Sequence, residues 1–500
     1  NIPDRVMEEI ITEGSMLFEG VDIDMRFGPA ISISEYLKSS TIYRDISSKR
    51  KINFDDPLAS KRKMHRLALK IMQSYMSSIY GLTTVNYDNI FASVLRALPF
   101  SSISERDYKL KIFLALARIH DLRNIYYHDA LLRNPIHLIT DDLYGKYKDF
   151  MSVAVEKGVV TIDDTVITKD RSQFSSPYKF HRARIEHPIE VMANAVEPLV
   201  ELEKAVKRVA WMPVFFVRRK VAEHLIRKAE IEYCAEYKAY YKEGESNDKS
   251  FGKPLFLKGN KKDTGILLVH SYLSVPAELE KLAKYLNGKG YYVYIPRLKG
   301  HGTSPVDLAD RAYVEWLDSA EEGYAALSIM CSRVIIGGFS SGSPVVFELA
   351  ERIQEIAGII AVNPLFRLND LSERIIPKGD VLLKMLEKIN IIDAHKEFHI
   401  TDLAECKFCY NRNPDSGILE LEKLLRIVNE RLGEVKAPVY ILQSKKDPML
   451  DTEGVNRLFE RIGSDDKEYM IIDSQRHDIL SGEGNEEAFK MIDDFIIKLK

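Results

Sequence analysis

Two patterns of apolar residues divide the chain near residue 250. Upstream, apolar positions recur at steps of three and four, as on one face of a helix, and the clearest run covers residues 60–80 before Gly81. Downstream, short continuous apolar runs alternate with helical patterns, which is typical of strands buried on both faces of a parallel sheet. The pattern predicts a mainly helical first half and an α/β second half.

Six runs in the second half have the character of buried strands. They are GILLVH (265–270), YYVYIP (291–296), RVIIGGF (333–339), AGIIAV (357–362), PVYILQ (438–443) and EYMIID (468–473). With helical patterns between them, residues 264–500 are predicted to form a doubly wound, mostly parallel sheet. A long helical insertion, roughly 366–435, has no place in a minimal sheet and is predicted to lie over one edge as a lid.

A polar stretch rich in glycine and lysine, residues 243–263, marks the predicted domain border. We expect a linker at 251–263 and a mainly helical domain at 41–250. Helical patterns there include 84–98, 106–132 and 188–210, and a short hairpin is predicted around the Asp163-Asp164 turn.

The chain length, the net charge and the glycine-rich stretch limit which kinds of partner and cofactor are expected. The 500 residues allow two to four domains, and 71 Lys+Arg against 74 Asp+Glu give a net charge of -3. No global field attracts nucleic acid, so we expect no nucleic-acid partner. No GK[ST] follows the glycine-rich stretch at 337–342, so a phosphate-binding loop is disfavoured and no cofactor is expected.

The four cysteines are too few and too irregularly placed to crosslink a chain of this length, which suggests a reducing, cytoplasmic setting. Cys406 and Cys409 form a lone CxxC. A zinc site normally needs a second ligand pair, and a redox site is expected beside a βαβ unit. We therefore interpret both as ordinary thiols and predict no metal site.

The pentapeptide Gly338-Phe339-Ser340-Ser341-Gly342 fits GxSxG. Average residue usage gives on the order of 0.1 chance matches in a chain of this length, so the motif needs its context. Ser340 follows a predicted strand and precedes a helical pattern, where small residues permit a sharp turn that exposes the serine oxygen. This context favours a nucleophile over a helix-start hydroxyl.

A serine nucleophile needs a base and an orienting carboxylate. Asp447 follows the strand PVYILQ and His477 follows the strand EYMIID, both at the strand ends where functional groups gather. The order Ser340, Asp447, His477 is that of α/β-hydrolase triads. Asp447 could instead cap a turn, which leaves Asp451 as the fallback acid, and His301 in GHGTSP is interpreted as a structural loop residue.

The developing oxyanion needs two backbone N–H donors. One is expected from Ser341, directly after the nucleophile. The other is expected from the loop HSYLSVP after the strand GILLVH, where Tyr272 is the favoured donor.

Five stretches together resemble the α/β-hydrolase fold family, especially its monoacylglycerol lipase and carboxylesterase branch. They are HSY (270–272), RLKGHGTSP (297–305), GFSSG, KKDPML and RHDIL. The resemblance spans about half the chain. Relatives usually have HGF or HGG at 270–272 and glycine in place of Arg476, and this chain departs from both patterns.

Two stretches of the first half, 22–37 and 185–206, look like segments of glycerol-phosphate and lysophospholipid acyltransferase-type proteins. Residues 1–40 are accordingly interpreted as the remnant of such a domain. That family's signature, a histidine followed five residues later by an aspartate, would lie upstream. The chain begins at Asn1 rather than Met, which leaves open a fragment, a processed product, or the C-terminal part of a bifunctional protein.

The expected function is hydrolysis of carboxylic esters through an acyl-enzyme, with monoacylglycerols or lysophospholipids as the substrate class that the resemblance implies. Acyl transfer or thioester cleavage with the same triad stays open, as does a first half that only docks on a membrane or a partner. The run WMPVFFVRRK (211–220) mixes aromatic and basic residues as interfacial segments do, although core packing with a solvated basic end is the alternative we favour. The oligomeric state is left open.

Overall fold

The computed structural model describes residues 25–35, 38–48, 60–120, 122–140, 145–174, 187–260, 263–367, 398–400, 406–450, 452–482 and 484–499. The chain forms two compact units. The first comprises Asn1–Leu138 and Leu143–Val217, and the second comprises Ile139–Asp142 and Arg218–Lys500.

The elements of the first half are mainly helical. In chain order they are α1 Ser40–Ser48, α2 Lys61–Gly81, β1 Thr84–Val85, α3 Tyr87–Ala97, β2 Ser102–Ser104, α4 Glu105–Ile119, β3 Tyr126–Tyr127, α5 His137–Thr140, α6 Gly145–Glu156, β4 Val160–Asp163, β5 Val166–Lys169, α7 Pro188–Val196, α8 Val200–Ala210 and α9 Val214–Tyr240. The hairpin β4–β5 forms as predicted and pairs with β2 in an antiparallel sheet.

Local signals explain where these helices begin and end. The side chains of Asn86 and Asn89 each accept the other's backbone N–H, a capping box that starts α3 three residues later than the pattern at 84–98 suggests. The predicted helix at 188–210 is two helices, because Pro198 lies between α7 and α8 and cannot donate to a helical ladder. The predicted helix at 106–132 ends at Ile119, and Asn124 then adopts a positive φ of 61°.

The core of the first unit packs α3 against α4, α7 and α8. Phe91 lies at its centre, with edge-on ring contacts to Tyr147 and Phe150. The buried Lys169 ammonium donates to the carbonyl oxygens of Leu95, Arg96 and Leu98, the last carbonyls of α3, which have no partner within their own helix.

The second half alternates strands and helices. Its elements are β6 Leu255–Leu257, β7 Thr264–Val269, α10 Glu280–Gly288, β8 Tyr292–Ile295, α11 Pro305–Ala309, α12 Tyr313–Met330, β9 Arg333–Phe339, α13 Gly342–Arg352, β10 Ile356–Val362, β11 Phe398–Ile400, β12 Arg412–Pro414, α14 Asp415–Arg431, β13 Val439–Ser444, α15 Thr452–Arg461, β14 Lys467–Ile472 and α16 Glu486–Lys498. All six predicted strands form within a residue or two of their expected bounds.

The central sheet has seven strands in the order β14-β13-β10-β9-β7-β8-β6. Six of them run parallel, and β6 pairs antiparallel with β8 at one edge. Strand order reverses between β7 and β9, and in open parallel sheets a ligand site lies at the carboxyl ends of the strands at such a reversal. The loops after β7 and β9 are therefore adjacent.

Alternate residues of each strand enter two separate cores, one on each face of the sheet. In β7, Leu267 and Val269 join the core beneath α12, α13 and α14, whereas Ile266 and Leu268 join the core beneath α10 and α16. This two-sided burial is the physical reason for the continuous apolar runs in the sequence.

The second unit also contains residues upstream of the predicted border. Its compact part begins at Arg218, so most of α9 belongs to it, where the Glu236 carboxylate pairs with Lys299 at 2.7 Å and with Arg297. Within the expected linker 251–263, residues Leu255–Leu257 form the edge strand β6. Apolar side chains at 255–257 explain the strand, and the polar flanks obscured it in the sequence.

Candidate active site

Ser340 lies on a sharp turn between β9 and α13. Its φ is 52°, a left-handed conformation that is uncommon outside glycine, and its side chain is buried. A Cβ at Gly342 would lie 2.3 Å from the Val269 carbonyl oxygen, and one at Gly338 would lie 2.6 Å from the Gly342 carbonyl oxygen. The glycines of the motif are therefore required by close backbone approach, as a strand-turn-helix nucleophile needs.

The structure brings together the three residues that the sequence singled out from separate strands. His477 Nε2 lies 3.0 Å from Ser340 Oγ, and His477 Nδ1 lies 2.7 Å from Asp447 Oδ2. Asp447 is fully buried as a side chain, and its Oδ1 accepts the backbone N–H groups of Met449 and Leu450 at 2.8 and 3.1 Å. The carboxylate is thus fixed by its own loop, with its second oxygen directed at the imidazole. The fallback acid Asp451 lies outside the described residues.

Asn363, at the end of β10, supports the histidine loop and was not found from the sequence. Its Nδ2 donates to the His477 carbonyl oxygen at 2.5 Å, and its Oδ1 accepts the Ser444 N–H at 2.7 Å. The Ser444 hydroxyl in turn donates to the Arg476 carbonyl oxygen at 2.7 Å. Because Asn363 has a φ of 43°, which asparagine tolerates better than most residues, an Asn directly after a buried strand was the signal available.

The loop after β7 places Tyr272 beside Ser341, the residue that follows Ser340. The Tyr272 N–H donates to Ser341 Oγ at 2.6 Å, and Tyr272 Oη donates to Asn413 Oδ1 at 2.8 Å. Both residues predicted to supply oxyanion donors are therefore adjacent. The Tyr272 N–H, however, already has an acceptor in the Ser341 side chain.

Glu278 fixes the loop after β7 by hydrogen bonds to Ser271. It is a second residue that was not found from the sequence. Its buried carboxylate accepts the Ser271 N–H at 2.8 Å and the Ser271 hydroxyl at 2.7 Å. Burial raises the pKa of Glu278 to about 7, with a smaller raising effect from Asp478, against the lowering effect of the Ser271 bonds. The group therefore changes its charge near neutral pH.

His301 lies in the loop that follows β8, away from Ser340 in the hydrogen-bond network. Its Nδ1 lies 3.1 Å from the Lys299 carbonyl oxygen, and its ring packs edge-on against His270, Tyr272 and Trp316. Burial lowers the pKa of His301 well below its usual value, so the ring is neutral. These contacts agree with a structural role for His301.

Cys406 and Cys409 form a disulfide, which corrects the expectation of two ordinary thiols. The two residues come together because a tight turn at 406–409 brings their Cα atoms within 5.5 Å, a separation that a disulfide can span. The pairing removes one support for a reducing setting, and the cytoplasmic location stays a prediction. Cys234 and Cys331 are free thiols.

The disulfide directly precedes Tyr410, a residue of the insertion that forms hydrogen bonds with the loops after β7 and β8. The Tyr410 N–H donates to the Leu273 carbonyl oxygen at 3.0 Å. Its hydroxyl accepts the Thr303 N–H at 2.7 Å and lies 2.9 Å from the Gly300 carbonyl oxygen. Within residues 406–435, helix α14 also packs its apolar face on α13, the helix that begins at the nucleophile turn.

Among the described residues, no helix has the length and apolar character needed to cross a membrane. Of the two stretches that resemble acyltransferase-type proteins, residues 22–24, 36–37 and 185–186 lie outside the described residues, and most of 188–206 lies in α7 and α8. The acyltransferase-like interpretation of the first half, including a remnant domain at 1–40, stays a prediction.

The second half of the chain is similar to known proteins. Residues 260–485 match the family described as Serine aminopeptidase, S33. A thermostable monoacylglycerol lipase of Bacillus sp. (strain H-257) is 29% identical over 213 residues, which cover 43% of this chain and 82% of that protein. A carboxylesterase of Bacillus subtilis (strain 168) is 24% identical over 248 residues, covering 49% of this chain and 97% of that protein.

Solved structures of similar chains include two lipases. The monoacylglycerol lipase of Paleococcus ferrophilus is 22% identical with a TM-score of 0.41, covering 49% of this chain and 98% of its own. A soluble variant of monoglyceride lipase from Saccharomyces cerevisiae is 15% identical with a TM-score of 0.44. The match covers 50% of this chain and 91% of that protein. Together with the strand order of the central sheet, the sequence matches along residues 260–485 give the second half of the chain the α/β-hydrolase fold, and the protein is an enzyme similar to lipases and esterases.

Proposed function

We propose that Ser340, His477 and Asp447 are the catalytic triad of a hydrolase that cleaves carboxylic esters of acyl lipids, of the monoacylglycerol or lysophospholipid type. The observation that carries the proposal is the unbroken relay from Ser340 Oγ through His477 to the buried Asp447, with steps of 3.0 and 2.7 Å. A hydroxyl, a base and an orienting carboxylate in this geometry are what acyl transfer to serine requires.

The reaction begins when Ser340 Oγ attacks the acyl carbon while His477 Nε2 takes the hydroxyl proton. Asp447 holds the Nδ1–H side of the imidazole and stabilises the imidazolium that forms. Negative charge develops on the former carbonyl oxygen, where the Ser341 N–H is the first donor and the Tyr272 N–H the second.

Collapse of the tetrahedral intermediate breaks the ester C–O bond, and the alcohol leaves with the proton from His477. The acyl group then remains on Ser340. Water attacks this acyl-enzyme as His477 takes one of its protons, and the second collapse returns that proton to Ser340 and releases the carboxylic acid.

One observation supports a lipid ester over a small ester. The relatives matched along the second half include a protein named as a monoacylglycerol lipase. We further propose that the acyl chain is bound beside the insertion, where α14 packs on the helix that begins after Ser341, and that the enzyme meets its substrate by peripheral contact with a membrane.

A fluorophosphonate probe tests the nucleophile directly. We expect covalent labelling of the wild-type chain and none of Ser340→Ala, whereas Ser319→Ala, which removes a hydroxyl that donates to the Glu315 carbonyl oxygen within α12, should label normally. Unchanged labelling of Ser340→Ala, or none of the wild type, would exclude Ser340 as the nucleophile.

A panel of substrates then tests the proposed substrate class and the proposed reaction. Monoacylglycerols, lysophospholipids, short-chain esters and acyl thioesters should be compared by kcat/KM, with a second alcohol present to detect acyl transfer. We expect the long-chain esters to be preferred and water to be the main acceptor. A preference for thioesters, or transfer exceeding hydrolysis, would replace the proposal by the thioesterase or acyltransferase alternative.

A further inference from the structure

The segment around the end of α8 and the start of α9, residues 204–220, concentrates positive charge in a chain whose net charge is -3. It contains no acidic residue, and its basic residues are Lys204, Lys207, Arg208, Arg218, Arg219 and Lys220. We call it the basic–aromatic segment. Three flanking carboxylates, Glu201, Glu203 and Glu223, pair with Lys204, Lys207 and Arg219 respectively, and all three carboxylates lie outside the segment.

The same segment exposes three large aromatic side chains. Trp211 is 67% exposed, Phe215 is 70% exposed and Phe216 is 50% exposed. This corrects the favoured interpretation of 211–220 as a core-packing segment. Scattered apolar residues are normal on protein surfaces, but adjacent exposed aromatics mark an interaction site.

The exposure of the three aromatic side chains results from contacts on the core side of the segment. The buried Lys111 ammonium donates to the carbonyl oxygens of Ala210 at 2.8 Å and Met212 at 2.6 Å, and to that of Val209 at 3.2 Å. These carbonyls flank Trp211, so the turn between α8 and α9 is fixed from the core side. Val206, Val209 and Val217 face inward and are buried, which leaves the aromatic rings no position in the core.

We propose that the basic–aromatic segment docks the protein on an anionic lipid bilayer. Tryptophan and phenylalanine gain from burial at the headgroup and acyl boundary, while lysine and arginine beside them are attracted by anionic lipids. The combination of aromatic rings with an excess of cations and no acidic residue within 204–220 matches the charge and polarity of such a surface. The inference deepens the proposed lipid-ester function, and it is tested by binding rather than by turnover.

The two tryptophans of the chain allow a direct measurement. Trp316 is buried, with 2% exposed, so a change in emission on adding vesicles reports Trp211. We expect phosphatidylcholine vesicles containing phosphatidylserine to shift the emission to shorter wavelength and to shield it from an aqueous quencher. Trp211→Phe should abolish the shift, and pure phosphatidylcholine or high salt should weaken it at least several-fold.

Flotation of the full chain with the same vesicles provides the second readout. Phe215→Ser/Phe216→Ser and Lys207→Glu/Arg208→Glu should each lower the bound fraction about tenfold or more. The matched controls Phe100→Ser and Lys148→Glu change exposed residues of the same kinds elsewhere in the first half and should bind as the wild type does. Circular dichroism and thermal melts establish that every variant is folded.

Absence of flotation, or flotation that the segment variants leave unchanged, would overturn the proposal. A self-association that the Phe215→Ser/Phe216→Ser variant abolishes, without vesicle binding, would also overturn it in favour of a protein interface. Hydrolysis of a short, soluble ester should be the same in all these variants, and vesicle binding should persist in Ser340→Ala. A failure of the docking proposal is thereby distinguishable from a failure of the proposed chemistry.

Discussion

The backbone N–H of Tyr272 donates to the side-chain oxygen of Ser341 over 2.6 Å. An N–H group carries one hydrogen, so this bond and a bond to a developing oxyanion compete for the same donor. Here the competing acceptor is supplied by Ser341, the residue directly after the proposed nucleophile.

Removing the Ser341 hydroxyl should therefore release the Tyr272 N–H for the transition state. We expect Ser341→Ala to raise kcat/KM about fivefold, since the bond it deletes is worth about 1 kcal/mol. Ser341→Thr keeps the hydroxyl and should leave kcat/KM near the wild-type value. A loss of tenfold or more in Ser341→Ala would show instead that the hydroxyl itself donates to the oxyanion.

Asp447 is predicted to hold the tautomer of His477 that the reaction needs. Asp447→Asn keeps the size of the side chain but replaces a carboxylate oxygen by an amide, which disfavours Nδ1–H and cannot stabilise an imidazolium. We expect kcat to fall about 10³- to 10⁴-fold. The measurement is steady-state hydrolysis of an ester by wild type and variant.

Asp473→Asn is the matched control for this substitution, because Asp473 lies in the loop between β14 and His477 but is 90% exposed as a side chain. It should retain full activity. If Asp447→Asn lost less than tenfold, Asp447 would be a turn-capping residue and the acid would have to be sought elsewhere in its loop.

Glu278 should make the stability of the second unit depend on pH. Its pKa is raised by burial from 4.5 to about 7, so the folded state holds a proton more tightly than the unfolded chain. The resulting stabilisation is fully present below pH 4.5 and is lost as the pH rises through about 7, by up to about 3 kcal/mol. The glutamine in Glu278→Gln cannot ionise, so the stability of this variant should not show the loss that Glu278 causes as the pH rises.

Thermal or urea unfolding at several pH values between about 4.5 and 8 checks this prediction. The stability of Glu278→Gln relative to the wild type should increase with pH across this window. Glu280→Gln changes a neighbouring, partly exposed carboxylate and should leave the wild-type pH dependence intact. A constant difference between Glu278→Gln and the wild type would contradict a proton uptake at Glu278.

Tyr410 should contribute to stability through its hydroxyl. Tyr410→Phe leaves the buried Thr303 N–H without its 2.7 Å acceptor, and an unpaired buried donor costs about 1–3 kcal/mol. We expect a lower melting temperature for Tyr410→Phe and no change for Tyr241→Phe, whose ring is 56% exposed. Equal melting temperatures would show that water or a rearranged side chain replaces the hydroxyl.

The sequence by itself determined the α/β architecture and the positions of Ser340, Asp447 and His477 at the ends of three strands. This was possible because two-sided burial leaves continuous apolar runs, and because the sharp turn at 338–342 requires small residues at fixed spacing. The same short-range signals predicted the hairpin β4–β5, but they missed β6, whose three apolar residues are too few to stand out between polar flanks.

Only the tertiary structure decided which side chains meet across long separations in the chain. The contacts of Asn363 with the His477 loop and of Ser341 with Tyr272 depend on how neighbouring strands end. The exposure of Trp211 likewise depends on Lys111, a residue 100 positions upstream whose ammonium fixes the turn. Periodicity records which face of an element is apolar, whereas these hydrogen bonds arise from packing between elements and leave no periodic trace in the sequence.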